Sequence, residues 1–336
     1  MLVISFILAI FEQWSIKSGG VKIMKTAAVL GATGGMGFSL TETLIEKGIK
    51  TIAFSRSKSN LEKYKKDWGP LAEIMAGDAM NKTDVEKVVS KADAIFHTIN
   101  IPYQEWDPSL SRILSTILQE CRKQNKPFIY VDNIYSYGLQ NFKVKETATK
   151  NPHTKKGKLR NQLLDQIKSS EVQYIIAHFP DFYGPHTGNT LLHYTLQQLV
   201  EKQSGRFVGK TTIPREFIYI KDGARALVEL ALREEAYGEV WNIPGAGLIT
   251  GKEIEQFASA HLQKQIVLKP VAKWMISGLG IFNPFMREYA EMMYLNETPV
   301  ILDGSKYEDR IGPVSKTPYE KGIGETLNFL MKQNMA

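Results

Sequence analysis

The stretch "VLGATGGMG", Val29 to Gly37, joins an apolar run that predicts a buried strand to a run that predicts a helix. Its glycines at positions 31, 34 and 37 follow a G-x-x-G-x-x-G pattern. Glycines between a strand and a helix permit a tight turn and let the backbone approach a pyrophosphate at the amino terminus of the helix. The stretch therefore predicts the binding turn of a dinucleotide.

The rest of the chain alternates between strand and helix patterns. Six apolar runs read as strands, with helical stretches between most of them: TAAVLGA, KTIAFS, LAEIMAGD, ADAIFHTIN, PFIYVDN and EVQYIIAHFP. Strands separated by helices imply a parallel sheet with both faces covered. Beyond about Asp181 the rhythm changes, and we expect a cap over the carboxyl ends of the sheet. The predicted fold is α/β, a Rossmann-like doubly wound parallel sheet with a smaller C-terminal substrate-capping domain.

Three parts of the chain follow from this pattern. Residues 1–23 are expected to be an extension outside the domains, residues 24–185 the dinucleotide-binding Rossmann domain, and residues 186–333 mainly a smaller substrate-binding domain with elements that can interleave. The apolar run "MLVISFILAIF" at the start is too short to span a bilayer and lacks the basic flank of a secretory signal. Met24 precedes the first strand and is the expected start of translation, with an amphipathic membrane anchor as the alternative for the extension.

Composition restricts the partners without choosing one. The net charge of +7 and the isoelectric point of about 9.1 favour anions such as nucleotides, sugar phosphates, nucleic acid or a membrane surface. No basic–aromatic platform stands out, so nucleic acid is not the expected partner. The single cysteine, Cys121, excludes an intramolecular disulfide and fits a reducing compartment, which predicts a cytoplasmic protein with no integral membrane association. Without a Cys/His cluster or an H-x-x-x-H helix, no metal site is predicted.

Four further motifs accompany the glycine-rich turn. They are Gly77–Asp78 after the third strand, "HTIN" at the end of the fourth, "FPDFYGP" after the sixth, and "FIYIKDGARAL". Together with the turn they resemble the extended and atypical branches of the short-chain dehydrogenase/reductase superfamily, in particular NAD-dependent epimerase/dehydratase-like proteins, over nearly the whole chain after Met24. The resemblance implies a homodimer through the helices that flank the fifth strand. The predicted cofactor-binding residues are Gly31, Thr33, Gly34, Gly35, Met36, Gly37, Ser55, Arg56, Asp78, Thr98, Asn100 and Asp181.

The end of the second strand bears on the choice of dinucleotide. An NAD site normally offers an acidic residue there to hold the ribose hydroxyls. This chain reads "AFSRSKS" at that point, with Ser55 and Arg56 and no carboxylate. Arg56 can pair with a 2′-phosphate through charge-assisted hydrogen bonds. The sequence therefore predicts NADP, with NAD as the alternative.

The catalytic residues of the superfamily are missing from their usual places. Its familiar members use a Tyr-x-x-x-Lys pair and a serine, and the lysine and the cofactor's charge lower the pKa of the tyrosine. Matching Tyr137–Gly138 to the Tyr-Gly of extended members puts Asn133 at the serine position. The next helix then offers Lys156-x-x-x-Arg160 in place of Tyr-x-x-x-Lys. The usual proton donor is absent.

One interpretation relocates the chemistry to the stretch "FIYVDNIYSYG". Asn133, Tyr135 and Tyr137 alternate along it, so an extended backbone would aim their side chains the same way. Tyr135 is then the predicted acid/base, and Asn133 orients a carbonyl or hydroxyl. For Tyr137 a packing role is the alternative, because the tyrosine that matches it in relatives is often a packing residue. Lys156 or Arg160 would lower the pKa of Tyr135 or hold an anionic group.

The function predicted on this basis is an NAD(P)-dependent oxidoreductase or epimerase acting on a hydroxyl- or keto-bearing small molecule. Family resemblance and charge favour a nucleotide sugar. Two alternatives without catalysis stay open because the Tyr/Lys pair is lost. One is a NADP-binding sensor of the NmrA-like type, and the other is an RNA-binding protein on the same fold, as among atypical plastid proteins.

Several other side chains are candidates that also have a structural explanation. Two alternatives are open for each of two residues. His97 is expected either to contact the cofactor or to be a buried core residue, and Trp106 either to line a substrate pocket or to fasten its loop. Asp181 and His186 are expected near the cleft. The stretch "REYAEMM", residues 287–293, fits an ion network on a helix better than catalysis.

Overall fold

The computed structural model describes residue 20 and residues 22–188, 190–202 and 204–335. Its strands are β1 (Thr26–Leu30), β2 (Lys50–Ser55), β3 (Ala72–Ala76), β4 (Ala94–His97), β5 (Phe128–Asn133), β6 (Tyr174–Phe179), β7 (Asp181–Tyr183), β8 (Ser204–Val208), β9 (Arg215–Tyr219), β10 (Glu239–Asn242), β11 (Leu248–Ile249) and β12 (Val267–Val271). Its α-helices are α1 (Gly35–Glu46), α2 (Lys58–Trp68), α3 (Lys82–Ser90), α4 (Trp106–Lys123), α5 (Lys155–Lys168), α6 (Leu191–Lys202), α7 (Ile220–Ala231), α8 (Gly251–Leu262), α9 (Lys273–Leu279), α10 (Pro284–Tyr289), α11 (Tyr294–Glu297), α12 (Ser305–Arg310) and α13 (Tyr319–Met335).

Seven strands form one sheet in the order β10-β6-β5-β4-β1-β2-β3. Every neighbouring pair in this sheet runs parallel. The chain moves outward from β1 to β3 and then returns to β4 on the other side of β1. This reversal opens a crevice at the carboxyl ends of β1 and β4, where doubly wound sheets bind their ligands. The predicted Rossmann-like fold is confirmed.

Helices cover both faces of the sheet because successive strand residues point to opposite sides. In β1, Ala28 and Leu30 belong to the core packed by α4 and α5, whereas Ala27 and Val29 belong to the core packed by α1 and α7. All four side chains are fully buried. Strands buried on both faces read as continuous apolar runs, which is why the sequence pattern located them.

The later part of the chain builds two small sheets beside the large one. Strand β9 pairs in parallel with β7 and antiparallel with β11, and β8 pairs in parallel with β12. Helices α6, α8 and α13 pack with these strands around a third core that includes Leu196, Ile254 and Leu327. Segments between residues 285 and 300 then reach over the crevice of the large sheet, so they cover the carboxyl ends of its strands.

The two parts of the chain share elements. Strand β10 pairs in parallel with β6 at the edge of the large sheet, although it lies far beyond residue 185. The boundary at residue 185 and the interleaving of elements between the two predicted domains stay predictions.

The predicted N-terminal extension falls mostly outside the described residues, which include only residues 20, 22 and 23 of it. The expectations about its role as a non-domain segment or an anchor therefore lie outside the described residues as well. Met24, just before β1, is buried. No helix within the described ranges is long and apolar enough to cross a membrane.

Candidate functional site

A cavity of about 820 Å³ opens at the carboxyl ends of β1, β2, β4 and β5. The glycine-rich turn after β1 lies in its wall, as do residues that follow β2, β4 and β5. Residues from β9, α10 and α11 complete it from above, among them Arg215, Tyr289 and Asn296. A cavity of this size at the switch point of a parallel sheet has the dimensions and the place of a ligand site.

The glycine-rich turn has the geometry of an anion cradle. Gly31 has φ +90°, and a Cβ on Gly37 would overlap the carbonyl oxygen of Gly31, so neither position accepts a larger residue without movement. Gly34 caps α1 without a side-chain hydrogen bond, and a Cβ there would meet only that oxygen, at 3.4 Å. The first-turn N–H groups of α1 are thus left open toward the cavity, and this cradle fits a pyrophosphate.

The part of the cavity wall after β2 contains the residues that were predicted to select NADP over NAD. The hydroxyl oxygen of Ser55 lies 2.7 Å from that of Thr33, which fastens the strand end to the glycine-rich turn. Arg56 lines the cavity, is exposed, and forms no ion pair with any described carboxylate. Asp78 also lines the cavity, and its Oδ1 accepts a hydrogen bond from the N–H of Met80 at 2.9 Å. Arg56, the first cation after β2, is therefore not neutralised by a described carboxylate.

The wall beyond β4 holds two more predicted residues. The hydroxyl of Thr98 donates to the carbonyl oxygen of Leu30 at 2.9 Å, which ties β4 to β1. Nη2 of Arg160 donates to the amide oxygen of Asn100 at 3.5 Å. Apart from Gly37, which lies behind the turn, the structure places all the predicted cofactor residues in the wall of this one cavity.

Arg160 lies in the cavity wall, at the centre of a buried polar network. Its Nη1 donates to Tyr130 Oη at 2.9 Å and lies 3.3 Å from Asp132 Oδ1, and its guanidinium covers the ring of Trp106. The other oxygen of Asp132 lies 3.2 Å from His178 Nδ1, and both of these side chains are fully buried. The arginine at the lysine position of the family motif is therefore held rigidly beside Asn100.

Tyr135 lines the cavity and pairs with a tyrosine that the sequence analysis did not single out. Its Oη lies 2.7 Å from Oη of Tyr103, which occupies the 3-10 turn Tyr103–Glu105 after β4. Burial raises the pKa of Tyr135 well above its ordinary value, and it raises the pKa of Tyr103 to about 12. Both phenols are protonated at neutral pH, so one O–H is used in the hydrogen bond between them and the other is left to donate. The place of "PYQEW" just after a strand end was the signal that could have revealed Tyr103.

The backbone after β5 differs from the expected extended path. Residues Ile134–Tyr137 form a 3-10 turn, and the side-chain oxygen of Asn133 accepts the N–H of Tyr135 at 3.0 Å. The prediction that Asn133, Tyr135 and Tyr137 point the same way is therefore wrong for Tyr137. Its ring is fully buried away from the cavity, and its hydroxyl donates to Asn242 Oδ1 at 2.7 Å. Tyr137 is a packing residue, whereas Asn133 keeps its amide group in the cavity wall.

Lys156 does not take the role that the sequence predicted for it. Its Nζ lies 2.5 Å from Glu288 Oε2 and 3.1 Å from Glu291 Oε1, and it is not in the cavity wall. These carboxylates neutralise its charge, and the pKa of Tyr135 is raised rather than lowered. The structure thus contradicts the expected lowering of that pKa. Glu291 also accepts the backbone N–H of Lys155 at 2.9 Å, so two residues of "REYAEMM" do form an ion network, without Arg287.

The far end of the cavity contains a buried cation. Arg215 is 7% exposed, donates to the side-chain oxygen of Asn296 and stacks over Phe207 and Phe217. Among the described residues it forms no ion pair with a carboxylate. Asp181 opens into the same cavity, and burial raises the pKa of its carboxyl while the charge of Arg215 opposes that shift. An unpaired guanidinium that faces a cavity is suited to an anionic ligand group.

Three remaining candidates have clear positions. The Nε1 of Trp106 donates to the carbonyl oxygen of Ile101 at 2.9 Å, so this buried ring fastens its loop. His97 is buried outside the cavity wall, and burial lowers its pKa to about 3. His186 does line the cavity and stacks on Phe38 with ring centroids 3.8 Å apart. The described residues hold no group of three or more His, Cys, Asp or Glu side chains that could bind a metal.

The geometry defines the class of protein: a doubly wound parallel sheet with an open glycine-rich turn at its switch point is a Rossmann-like dinucleotide-binding fold. The model of the NAD dependent epimerase/dehydratase family matches residues 27–244. The chain belongs to this family. No curated protein sequence matches it.

Solved structures share the fold at low sequence identity. UDP-glucuronic acid 4-epimerase from Bacillus cereus, in complex with NAD, is 19% identical with a TM-score of 0.74 over 93% of this chain and 100% of its own. UDP-glucose 4-epimerase from Thermotoga maritima, with UDP-glucose, is 19% identical with a TM-score of 0.72 over 92% and 99%. dTDP-glucose 4,6-dehydratase from Bacillus anthracis, in complex with NAD, is 16% identical with a TM-score of 0.74 over 92% and 97%.

Proposed function

We propose that the chain is an NADP-dependent oxidoreductase or epimerase of a hydroxyl- or keto-bearing, anionic small molecule, with a nucleotide sugar as the favoured class. One observation carries the proposal. A single cavity holds the open glycine-rich turn, the paired phenols of Tyr103 and Tyr135, and the unpaired guanidinium of Arg215. These supply, in order, a place for a dinucleotide, a proton donor and a binding group for an anion. The family and the nucleotide-sugar ligands named for its structural neighbours agree with this substrate class.

The dinucleotide would supply the hydride donor or acceptor of the reaction. The N–H groups that begin α1 would hold its pyrophosphate, and Thr98 and Asn100 would border its nicotinamide half. Arg56 would meet the 2′-phosphate of NADP, since no carboxylate follows β2 to bind free ribose hydroxyls. NAD is the alternative, because two of the neighbouring structures are NAD complexes.

The proton chemistry is assigned to Tyr135. Burial keeps its phenol protonated, so Tyr135 can donate a proton to the oxygen of a substrate carbonyl whose carbon receives the hydride. Tyr103 fixes the direction of this phenol through the 2.7 Å hydrogen bond and can pass a proton back to it. Asn133 has its oxygen engaged with the N–H of Tyr135, so its amide nitrogen is the part left to orient the substrate oxygen. Lys156 is proposed only as a support for this wall, through its pairs with Glu288 and Glu291.

The substrate is placed by Arg215 at the opposite end of the cavity from the glycine-rich turn. A buried cation without a carboxylate partner is costly, and a phosphate or carboxylate of the substrate would remove that cost. The guanidinium can bind such a group with two parallel hydrogen bonds. Asp181 is the carboxyl whose charge interacts with Arg215, but it forms no ion pair with the guanidinium and burial raises its pKa, so it does not replace an anionic ligand group.

The test is a turnover assay with UDP- and dTDP-linked sugars. Reduction is followed by the loss of NADPH absorbance, and epimerisation by separation of the sugar products. We expect turnover of at least one such sugar by the wild-type protein and a loss of about a hundredfold or more in Tyr135→Phe. Tyr137→Phe is the matched control, because that phenol lies outside the cavity. Turnover that is equal in all three proteins would refute the assignment.

A NADP-binding sensor without turnover is the second candidate. The observations in its favour are the raised pKa of Tyr135 and the pairing of Lys156 with two carboxylates, because both remove the usual means of activating a phenol. Tight NADPH binding with no turnover of any nucleotide sugar or simple ketone would select it.

A further inference from the structure

The helix α9 and the turn after it carry an exposed apolar surface. Trp274, Leu279, Ile281 and Phe282 are 76%, 45%, 73% and 89% exposed, and we call these four residues the α9 surface. Large apolar side chains clustered on an outer face mark an interaction site. We propose that the α9 surface docks the protein on an anionic lipid bilayer. This inference goes beyond the proposed function and does not depend on it.

The fold holds this surface outward on a short amphipathic helix. Ile276 is buried and Met275 packs beside it on the core that also contains Tyr289 and Met292, which fixes the inner face of α9. Trp274 lies in the first turn of α9 and Ile281 in the turn that follows the helix, and both side chains are exposed. The surface is therefore presented by a segment anchored in the core.

The backbone at the tip of the surface is already hydrogen-bonded. The N–H of Ile281 donates to Gly278 O at 3.3 Å, and the N–H of Phe282 donates to Leu279 O at 3.1 Å. Asn283 then caps α10 by accepting the N–H of Met286 at 3.2 Å. Because apolar surroundings penalise unsatisfied N–H groups, a tip with satisfied donors can enter the headgroup region at little cost.

The charges around the α9 surface select an anionic bilayer. From residue 256 to residue 287 the chain has no Asp or Glu, but it has four cations: Lys264, Lys269, Lys273 and Arg287. All four are exposed, and none forms an ion pair within the described part of the chain. Aromatic and aliphatic residues beside uncompensated Lys and Arg are the pattern of helices that lie in a membrane interface. Basic residues near such a surface add attraction to anionic lipids.

A second copy of this chain is a poorer occupant of the same surface. A symmetric dimer through the α9 surface would place Lys269, Lys273 and Arg287 of one copy against the same cations of the other. No carboxylate within the segment would offset that repulsion. A bilayer that contains acidic phospholipid instead supplies the opposite charge and the apolar phase together.

The test is vesicle co-sedimentation of the full chain. The probes are vesicles of phosphatidylcholine alone and of phosphatidylcholine with phosphatidylglycerol in equal parts. We expect binding to the mixed vesicles that weakens with salt. The triple variant Trp274→Ser/Ile281→Ser/Phe282→Ser and the charge variant Lys269→Glu/Lys273→Glu should each weaken it about tenfold or more. The control Lys63→Glu/Lys66→Glu has the same net charge as the charge variant and exposed lysines on α2, so it should keep the binding.

A second readout locates the contact. Of the described tryptophans, Trp68, Trp106 and Trp241 are buried and Trp274 is exposed. Mixed vesicles should shift the emission to the blue and brominated lipid should quench it, and Trp274→Phe should lose both effects. Circular dichroism of each variant verifies folding, and the charge variant leaves the apolar residues intact if the triple variant fails to fold.

Three results would overturn the proposal. The first is a wild-type protein that binds neither kind of vesicle. The second is vesicle binding that the triple and charge variants leave unchanged, which would assign it to another part of the chain. The third is a wild-type dimer that becomes a monomer in the triple variant without any vesicle binding, which would make the α9 surface a contact between copies.

Discussion

The phenol oxygens of Tyr103 and Tyr135 lie 2.7 Å apart in the wall of the cavity and join the segment after β4 to the segment after β5. In the familiar members of the superfamily the proton donor comes from the helix after β5. In this chain that helix, α5, offers Lys156, and two carboxylates bind it. The proton donors that we propose therefore lie on two turns at the strand ends and not on this helix.

The tyrosine pair gives the first prediction. With a nucleotide sugar that supports turnover, Tyr135→Phe should lower kcat by about a hundredfold or more, because it removes the donated proton. Tyr103→Phe should lower kcat by about tenfold, because Tyr135 keeps its O–H but loses the partner that directs it. Steady-state kinetics measure both. A Tyr103→Phe loss as large as that of Tyr135→Phe would instead make Tyr103 the group that meets the substrate.

The glycine-rich turn gives the second prediction. Gly37→Ala should lower the free energy of unfolding by about 3 kcal/mol or more, because the new Cβ overlaps the carbonyl oxygen of Gly31. Gly34→Ala should cost only about 1 kcal/mol, since alanine is a poorer N-cap than glycine, yet its methyl group enters the cradle and should weaken dinucleotide binding. Urea unfolding and NADPH titration separate the two effects. Equal stability losses in the two variants would contradict the described turn.

The buried cation gives the third prediction. Arg215→Met should raise the KM for an anionic substrate by about a hundredfold while leaving the dissociation constant of NADPH unchanged. Its stability should stay within about 1 kcal/mol of the wild type, because the variant removes the desolvation cost of an unpaired cation. Kinetics, NADPH titration and urea unfolding measure the three quantities. A large loss of stability with an unaltered KM would show that the guanidinium serves the fold and not the substrate.

The fourth prediction is a pH dependence caused by Glu216. Its carboxylate accepts the N–H groups of Gly245 and Leu302, and burial raises its pKa from 4.5 to about 7. Between these values the folded state binds a proton that the unfolded state has released. The free energy of unfolding should therefore fall by about 3 kcal/mol as the pH rises through this window, and it should level off above it.

The matched variant for this effect is Glu216→Gln, which cannot titrate. Urea unfolding at pH 5 and pH 8, compared between wild type and variant, cancels the contributions of other groups. The change in the free energy of unfolding between pH 5 and pH 8 should be larger in the wild type than in Glu216→Gln. If the two proteins lose stability in parallel as the pH rises, another group is responsible.

The sequence predicted the large sheet and the glycine-rich turn in the cavity wall because both depend on local patterns. Buried parallel strands give apolar runs, and the turn at Gly31 and Gly37 needs glycine for steric reasons that are visible in the spacing. The free cation Arg56 could be predicted for the same reason, since the residue after β2 lies at a fixed point of the fold.

The part of the cavity around Tyr135 was predicted less well because it depends on contacts between distant segments. The 3-10 turn at Ile134–Tyr137 is stabilised locally by Asn133, and it turns Tyr137 away from the cavity. The partner of Tyr135 lies 32 residues earlier, and the partners of Lys156 lie more than 130 residues later. Sequence spacing contains no direct signal of such pairs, so Tyr103 was missed and Lys156 was given a catalytic role.

We propose that the cavity binds NADP through Arg56 and the glycine-rich turn, and a fluorescence titration tests this claim. Wild-type protein and Arg56→Ala are each titrated with NADPH and NADH. We expect NADPH to bind more tightly than NADH to the wild type, and the variant to lose about tenfold or more in NADPH affinity with NADH unaffected. Equal binding of both by the two proteins would make NAD the cofactor, and binding of neither would contradict the claim.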